Sequence, residues 1–112
     1  MTSQEACAFY GRQAVYDGED VDVYEPAGGY RIADALGDGR LAFLGNHGML
    51  TVGSSVAAAV GFFFMAERAA EVQIKAPAAR VISDAGAAKC HAGVGPEDNG
   101  ELVFNYLVAS KL

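Results

Sequence analysis

The sequence predicts an α/β domain built on a small mixed sheet, and three observations predict it. Two short apolar runs, residues 40–44 and 49–52, flank a Gly-Asn-His-Gly interruption and read as a pair of buried strands. A long stretch, residues 56–76, starts almost wholly apolar and turns amphipathic near Glu67, which is the pattern of a helix packed on a sheet. Upstream, a short strand-like segment precedes one with helical spacing, so strands and helices alternate along the chain.

Taken in order, Gln13, Ala14, Val15 and Tyr16 form the first candidate strand. Residues 18–22 read as an acidic turn. Residues 26–29 lead into a helix over 29–36, whose apolar positions Ile32, Ala33 and Leu36 share a face and which Gly37 ends. The strand pair follows. Ser54 or Ser55 is placed to cap the long helix, and Pro77 stops it. Within that helix Glu71 and Lys75 stand four residues apart in the favourable order for a surface ion pair. The aromatic run Phe62, Phe63 and Phe64 points in three directions, so at least one ring must face something other than the sheet. Beyond Pro77 the pattern weakens. Val81 and Ile82 suggest a short strand, and Ser83 or Asp84 a cap for a short helix through Lys89. Residues 91–100, rich in Gly with Pro and Asn, suggest a loop, and residues 101–112 a closing helix or strand.

Length and composition bound the function. The 112 residues suit one domain, and 52% apolar with 20% charged residues marks a globular chain. A net charge of -6 argues against nucleic acid and against an anionic membrane surface, both of which require a basic face. The apolar run 56–66 is too short to span a bilayer, and Glu67, Arg68 and Glu71 follow it directly. No secretory leader pattern opens the sequence. Cys7 and Cys90 are far apart and too few for a disulfide framework, so free thiols and a cytoplasmic location are expected. Glu19, Asp20, Asp22 and Glu25 do not have the spacing of a calcium loop. Cys90-His91 has no second ligand pair, which leaves His91 as an ordinary loop histidine.

The informative segment is Leu44-Gly45-Asn46-His47-Gly48-Met49-Leu50-Thr51-Val52-Gly53. An Asn-His-Gly between two apolar strands, followed by a glycine and a long apolar helix running into Glu67-Arg68-Ala69-Ala70-Glu71, resembles the motif of the class II aldolase/adducin family. Ser3-Gln4-Glu5-Ala6, Val15-Tyr16-Asp17 and Arg31-Ile32-Ala33-Asp34-Ala35-Leu36-Gly37 match that family in the same order, so the resemblance runs from about Ser3 to Ala76. It implies the C-terminal portion of an α/β/α domain with a largely antiparallel sheet. It further implies a zinc or other divalent metal held by three histidines, two from a His-X-His pair and one at the position of His47. Such a metal polarises a substrate carbonyl and stabilises an enediolate during carbon–carbon cleavage of a hydroxylated small molecule. Ring-like homo-oligomers are also implied.

The sequence departs from that pattern. It has two histidines, His47 and His91, and no His-X-His. A catalytic zinc needs three protein ligands and an open position, which this stretch cannot supply by itself. His47 is therefore read either as one ligand of a divided metal site or as a turn residue satisfied by local hydrogen bonds. Asn46 and Gly48 shape the turn. No catalytic acid or base is identified. The expectation is a single domain over residues 1–112 that lacks the family's N-terminal half, holds zinc weakly and shows no turnover alone. Its partner is expected to be a further copy of itself or a complementary chain carrying the rest of the site.

Overall fold

A computed structural model describes residues 1–19 and 22–111. Asp20 of the acidic turn, Val21 and the terminal Leu112 lie outside the described residues. A 3₁₀ helix (Glu5–Phe9) opens the fold and is followed by β1 (Gln13–Tyr16), α1 (Pro26–Leu36), β2 (Leu41–Leu44), β3 (Gly48–Thr51), α2 (Val56–Lys75), α3 (Asp84–Val94) and α4 (Glu97–Lys111). The strand order is β1-β2-β3, with β1 parallel to β2 and β3 antiparallel to it. The sheet is therefore mixed, as the alternation of strands and helices implies.

The register explains how the layers form. Leu41 pairs with Thr51 and Phe43 with Met49, so these four side chains share the face toward α2. Ala42 and Leu44 point the other way, where Ile32, Ala33 and Leu36 of α1 lie. The sheet is thus sandwiched between helices. The core sits on the α2 side, where Phe9, Leu41, Ala58, Phe62, Met65 and Ala66 pack together. Phe9 and Phe62 meet edge to face with centroids 6.2 Å apart.

Local chemistry sets the helix boundaries. Proline occupies the first turn of α1, where its missing N–H costs nothing, so the helix starts at Pro26 and not at Gly29. Ser55 caps α2 by accepting from the Ala58 N–H at 3.1 Å. The helix ends at Lys75 with Ala76 as cap, because the residue before Pro77 is steered out of helical geometry. Lys75 pairs with Glu71 one turn back.

Beyond Pro77 the fold corrects the sequence reading. Val81 and Ile82 are not a strand. They belong to an extended connection in which the Ile82 N–H donates to the Met1 carbonyl at 2.8 Å. Ser83 caps α3, as expected, but the helix runs on to Val94 and carries His91 within it. Residues 91–100 are not a loop, since α4 already begins at Glu97. The glycines mislead because one of them is there for packing. A Cβ on Gly61 of α2 would lie 1.8 Å from the Gly100 carbonyl oxygen of α4, so the two helices cross at touching glycine backbones. The closing segment is helical, and it covers α2 and not the sheet.

The aromatic run resolves the same way. Phe62 is completely buried and Phe64 half-buried under the Arg68 guanidinium, whereas Phe63 is 40% exposed. Phe62 is the core ring, and Phe63 is the one that faces outward. No helix among the described residues is long and apolar enough to cross a membrane.

Candidate functional site

His47 lies in the turn between β2 and β3. Its N–H donates to the Leu44 carbonyl at 3.1 Å, which closes the turn. Asn46 supplies the left-handed residue, with φ 56°, and is the single described non-glycine residue with positive φ. Gly48, at φ 155°, returns the chain to β3. The Asn-His-Gly order therefore has a local cause. Two residues that tolerate unusual backbone angles flank one that projects its side chain at the sheet's end.

The His47 side chain is exposed and borders a cavity of about 480 Å³. The walls come from Ile32 and Leu36 of α1 and from Leu44, Leu50 and Val52 beside the turn, so the cavity is chiefly apolar. One carboxylate comes near the turn that the sequence reading did not single out. Asp17, just past β1, approaches Gly45 so closely that a Cβ there would meet its Oδ1 at 2.7 Å. The Gly45 N–H also donates to the Tyr16 carbonyl at 2.8 Å, which ties the end of β1 to the turn. The signal for Asp17 lay in the sequence, as the acidic residue directly after the first strand.

His91 is not part of this site. It sits on α3, where Nδ1 lies 2.9 Å from the Cys7 carbonyl oxygen. It borders a separate cavity of about 310 Å³ with Arg12 and Arg40, which precede β1 and β2. His47 follows β2, so the two histidines lie beyond opposite ends of a strand about 13 Å long. Among the described residues no group of three or more His, Cys, Asp or Glu side chains is placed to hold a metal ion. The donor set on these residues does not fit a closed or catalytic zinc site.

A second polar cluster was also missed. Arg40 is 6% exposed, and its guanidinium lies 3.9 Å from the centre of the Phe62 ring. It donates to the Gly95 carbonyl and pairs with Glu97 at 2.6 Å. Glu97 also accepts from the Ser54 N–H at 3.0 Å. Burial acts to raise the Glu97 carboxyl, but the Ser54 N–H, the Arg40 charge and their hydrogen bonds outweigh it and hold it below the ordinary carboxylate range. This cluster joins the start of α4 to the start of β2. Its carboxylate neutralises its cation, so it serves the fold and leaves no free charge for a ligand. The signal was a lone cation at the head of an apolar run, which demands a partner.

The comparisons with known proteins agree with this geometry. The family described as Class II Aldolase and Adducin N-terminal domain matches residues 1–74. The Meiotically up-regulated gene 14 protein of Schizosaccharomyces pombe is 31% identical over 74 residues, 66% of this chain and 29% of that protein. The decarboxylase NovR of Streptomyces niveus is 35% identical over 77 residues, 69% of this chain and 28% of that protein. Among solved structures, an L-fuculose 1-phosphate aldolase from Glaciozyma antarctica superposes with a TM-score of 0.83 at 32% identity. That match covers 97% of this chain and 41% of the aldolase chain. The 112 residues therefore span well under half of the proteins they match.

Proposed function

The chain belongs to the class II aldolase and adducin family, and from that premise we propose that these 112 residues carry the family fold without catalysing a reaction by themselves. One observation carries the reading. His47 is presented at an exposed turn beside a cavity, and no set of metal-binding side chains gathers with it among the described residues. A single imidazole does not hold zinc against water. The family's fold is kept, and the isolated chain acts through association.

A second reading is favoured by the coverage of the aldolase structure, 41% of that chain. Polypeptide outside these 112 residues supplies the remaining ligands, and His47 is one ligand of a composite metal-dependent lyase. The relatives include an aldolase and a decarboxylase. Aldol cleavage and decarboxylation both break a carbon–carbon bond and leave an electron pair that a neighbouring carbonyl must accept. The substrate class is accordingly a small hydroxylated carbonyl compound, and the setting is cytoplasmic. Association has a physical basis under either reading. An apolar groove of about 420 Å³ opens between Leu41 and Phe43 of the sheet and Ala66, Ala70 and Ile74 of α2. Nearby, Val15 is 73% exposed on β1, an outer strand of the three. Further copies of the chain or the complementary polypeptide would cover it.

The test is metal analysis after dialysis, then zinc titration of the wild type and His47→Ala, with an assay of L-fuculose 1-phosphate cleavage. The expected result is no retained zinc and no turnover. Stoichiometric, submicromolar zinc that disappears in His47→Ala would overturn the first reading. Sedimentation at micromolar concentration is expected to show association, and a clean monomer would count against it.

A further inference from the structure

Cysteines 83 positions apart in the sequence come together in the fold. Cys7, on the 3₁₀ helix, is fully buried, and Cys90, on α3, is half-buried. The Cys7 Sγ donates to the Ser3 carbonyl at 3.5 Å, and the Cys90 Sγ to the next carbonyl, that of Gln4, at 3.8 Å. Two thiols that donate to consecutive carbonyls are held side by side against the start of the 3₁₀ helix. The surrounding elements hold them there. The His91 ring bonds the Cys7 carbonyl oxygen at 2.9 Å and fixes α3 against the 3₁₀ helix. Glu5 pairs with Arg68 of α2 at 3.3 Å and fixes the same helix from another side.

We propose that Cys7 and Cys90 are an oxidation site, at which a peroxide converts the thiol pair into a reversible intramolecular disulfide. The roles of the two sulfurs differ. Burial, then the adjoining Cys90 thiol, push the Cys7 thiol above its ordinary range, so Cys7 keeps its proton and is slow to attack first. Cys90 is the one that solvent reaches. Its thiolate attacks one oxygen of hydrogen peroxide, the O–O bond breaks, and the departing hydroxide takes up a proton as water. Cys90 is left as a sulfenic acid. Cys7 sulfur then attacks the Cys90 sulfur, the S–O bond breaks, and the hydroxide leaves with the Cys7 proton as a second water. Two thiols lose two electrons and two protons, and one peroxide becomes two waters. The product ties the N-terminal 3₁₀ helix to α3, the part of the chain that follows the extended connection after α2.

The site is independent of His47 and of any metal, so its test stands apart from that of the proposed function. The reduced 112-residue chain is treated with a small excess of hydrogen peroxide and analysed without reductant. The expected result is the loss of two hydrogens in the intact mass, a cross-linked peptide joining Cys7 to Cys90, and full reversal by dithiothreitol. The oxidised form is expected to melt roughly 5–15 °C higher, because the closed loop constrains the unfolded chain. Cys90→Ser, which alters the more exposed sulfur and spares the core, is expected to lose both the mass change and the shift. Sulfinic acid at Cys90 with Cys7 still reduced, or a cross-link only between two chains, would overturn the proposal.

Discussion

Gly61→Ala is expected to destabilise this fold although alanine is the better helix former. In an exposed helix interior the exchange favours alanine by about 0.5–1 kcal/mol. At Gly61 the new Cβ would lie 1.8 Å from the Gly100 carbonyl oxygen and 2.6 Å from its carbon, where ordinary contact begins at 3.4 Å. Both obstacles are backbone, so no side chain can swing away. The two helices must part by more than an ångström, and the contact that parts is the one that shields Ala58 and Phe62. Uncovering roughly 100 Å² of apolar surface costs about 2.5 kcal/mol, and the residual strain of overpacking adds about 1–3 kcal/mol. The loss exceeds the gain, and the net effect is about 3 kcal/mol of destabilisation, or a midpoint lowered by roughly 10–20 °C. Gly93→Ala is the control. Gly93 is exposed in α3 and a Cβ there meets nothing within 4 Å, so the same exchange should stabilise by about 0.5–1 kcal/mol. Thermal and urea unfolding followed by circular dichroism measure both. A Gly61→Ala protein as stable as the wild type would refute the glycine crossing of α2 and α4.

Three further outcomes are expected. Phe62→Ala removes a fully buried ring and should cost about 3–5 kcal/mol in urea unfolding, whereas Phe63→Ala, at a ring 40% exposed, should cost under about 1.5 kcal/mol; equal losses would mean the aromatic run is misassigned. Glu97→Gln leaves the buried Arg40 without its counter-charge and should cost about 2–3 kcal/mol at neutral pH, less than for a fully buried pair because the carboxylate is 35% exposed. Since Glu97 titrates below its ordinary 4.5 in the folded state, its contribution is complete above that value and is lost as pH falls through the folded value; a pH–stability curve that is unchanged below 4.5 in Glu97→Gln would refute this linkage. His47→Ala should leave the unfolding free energy within about 0.5 kcal/mol of the wild type, since its side chain is exposed, and a larger loss would assign it a structural role.

Residues 13–76 were legible, apart from the start of α1 at Pro26, because most elements announced their own ends. The glycines and Asn46 bounded the strand pair, Ser55 capped α2, and Pro77 stopped it. The errors fall where tertiary contact overrides local preference. Gly93, Gly95, Pro96, Asn99 and Gly100 spell a loop in sequence. In the fold Gly100 is a contact surface, Gly95 offers its carbonyl to Arg40, and the Asn99 side chain donates to the Gly93 carbonyl at 2.9 Å. The first two of those roles depend on residues far away in sequence. Val81 and Ile82 failed for the complementary reason. Two β-branched residues suffice for strand propensity, but a strand also needs an edge to pair with. The candidate site divides along the same line. His47 was found because the Asn-His-Gly motif that carries the family resemblance is contiguous in sequence, whereas the approach of Asp17 to Gly45 and the pairing of Arg40 with Glu97 needed the fold.

The placement of these groups separates what holds the fold from what could act. Arg40 enters β2 from the buried end, where Phe62, the Gly95 carbonyl and Glu97 surround it, and His47 leaves β2 at the exposed end. The buried side chains that anchor the strand, Arg40, Leu41 and Ala42, lie at its beginning. The turn at its end is held by backbone hydrogen bonds, to the Leu44 carbonyl within it and to the Tyr16 carbonyl at the end of β1, together with the left-handed Asn46. Such a turn keeps its shape when the side chain at its tip changes. It also keeps that tip available to groups that the 112 residues do not contain. Loss of zinc binding in His47→Ala, should a complementary polypeptide complete the site, would therefore report a lost ligand and not a damaged fold.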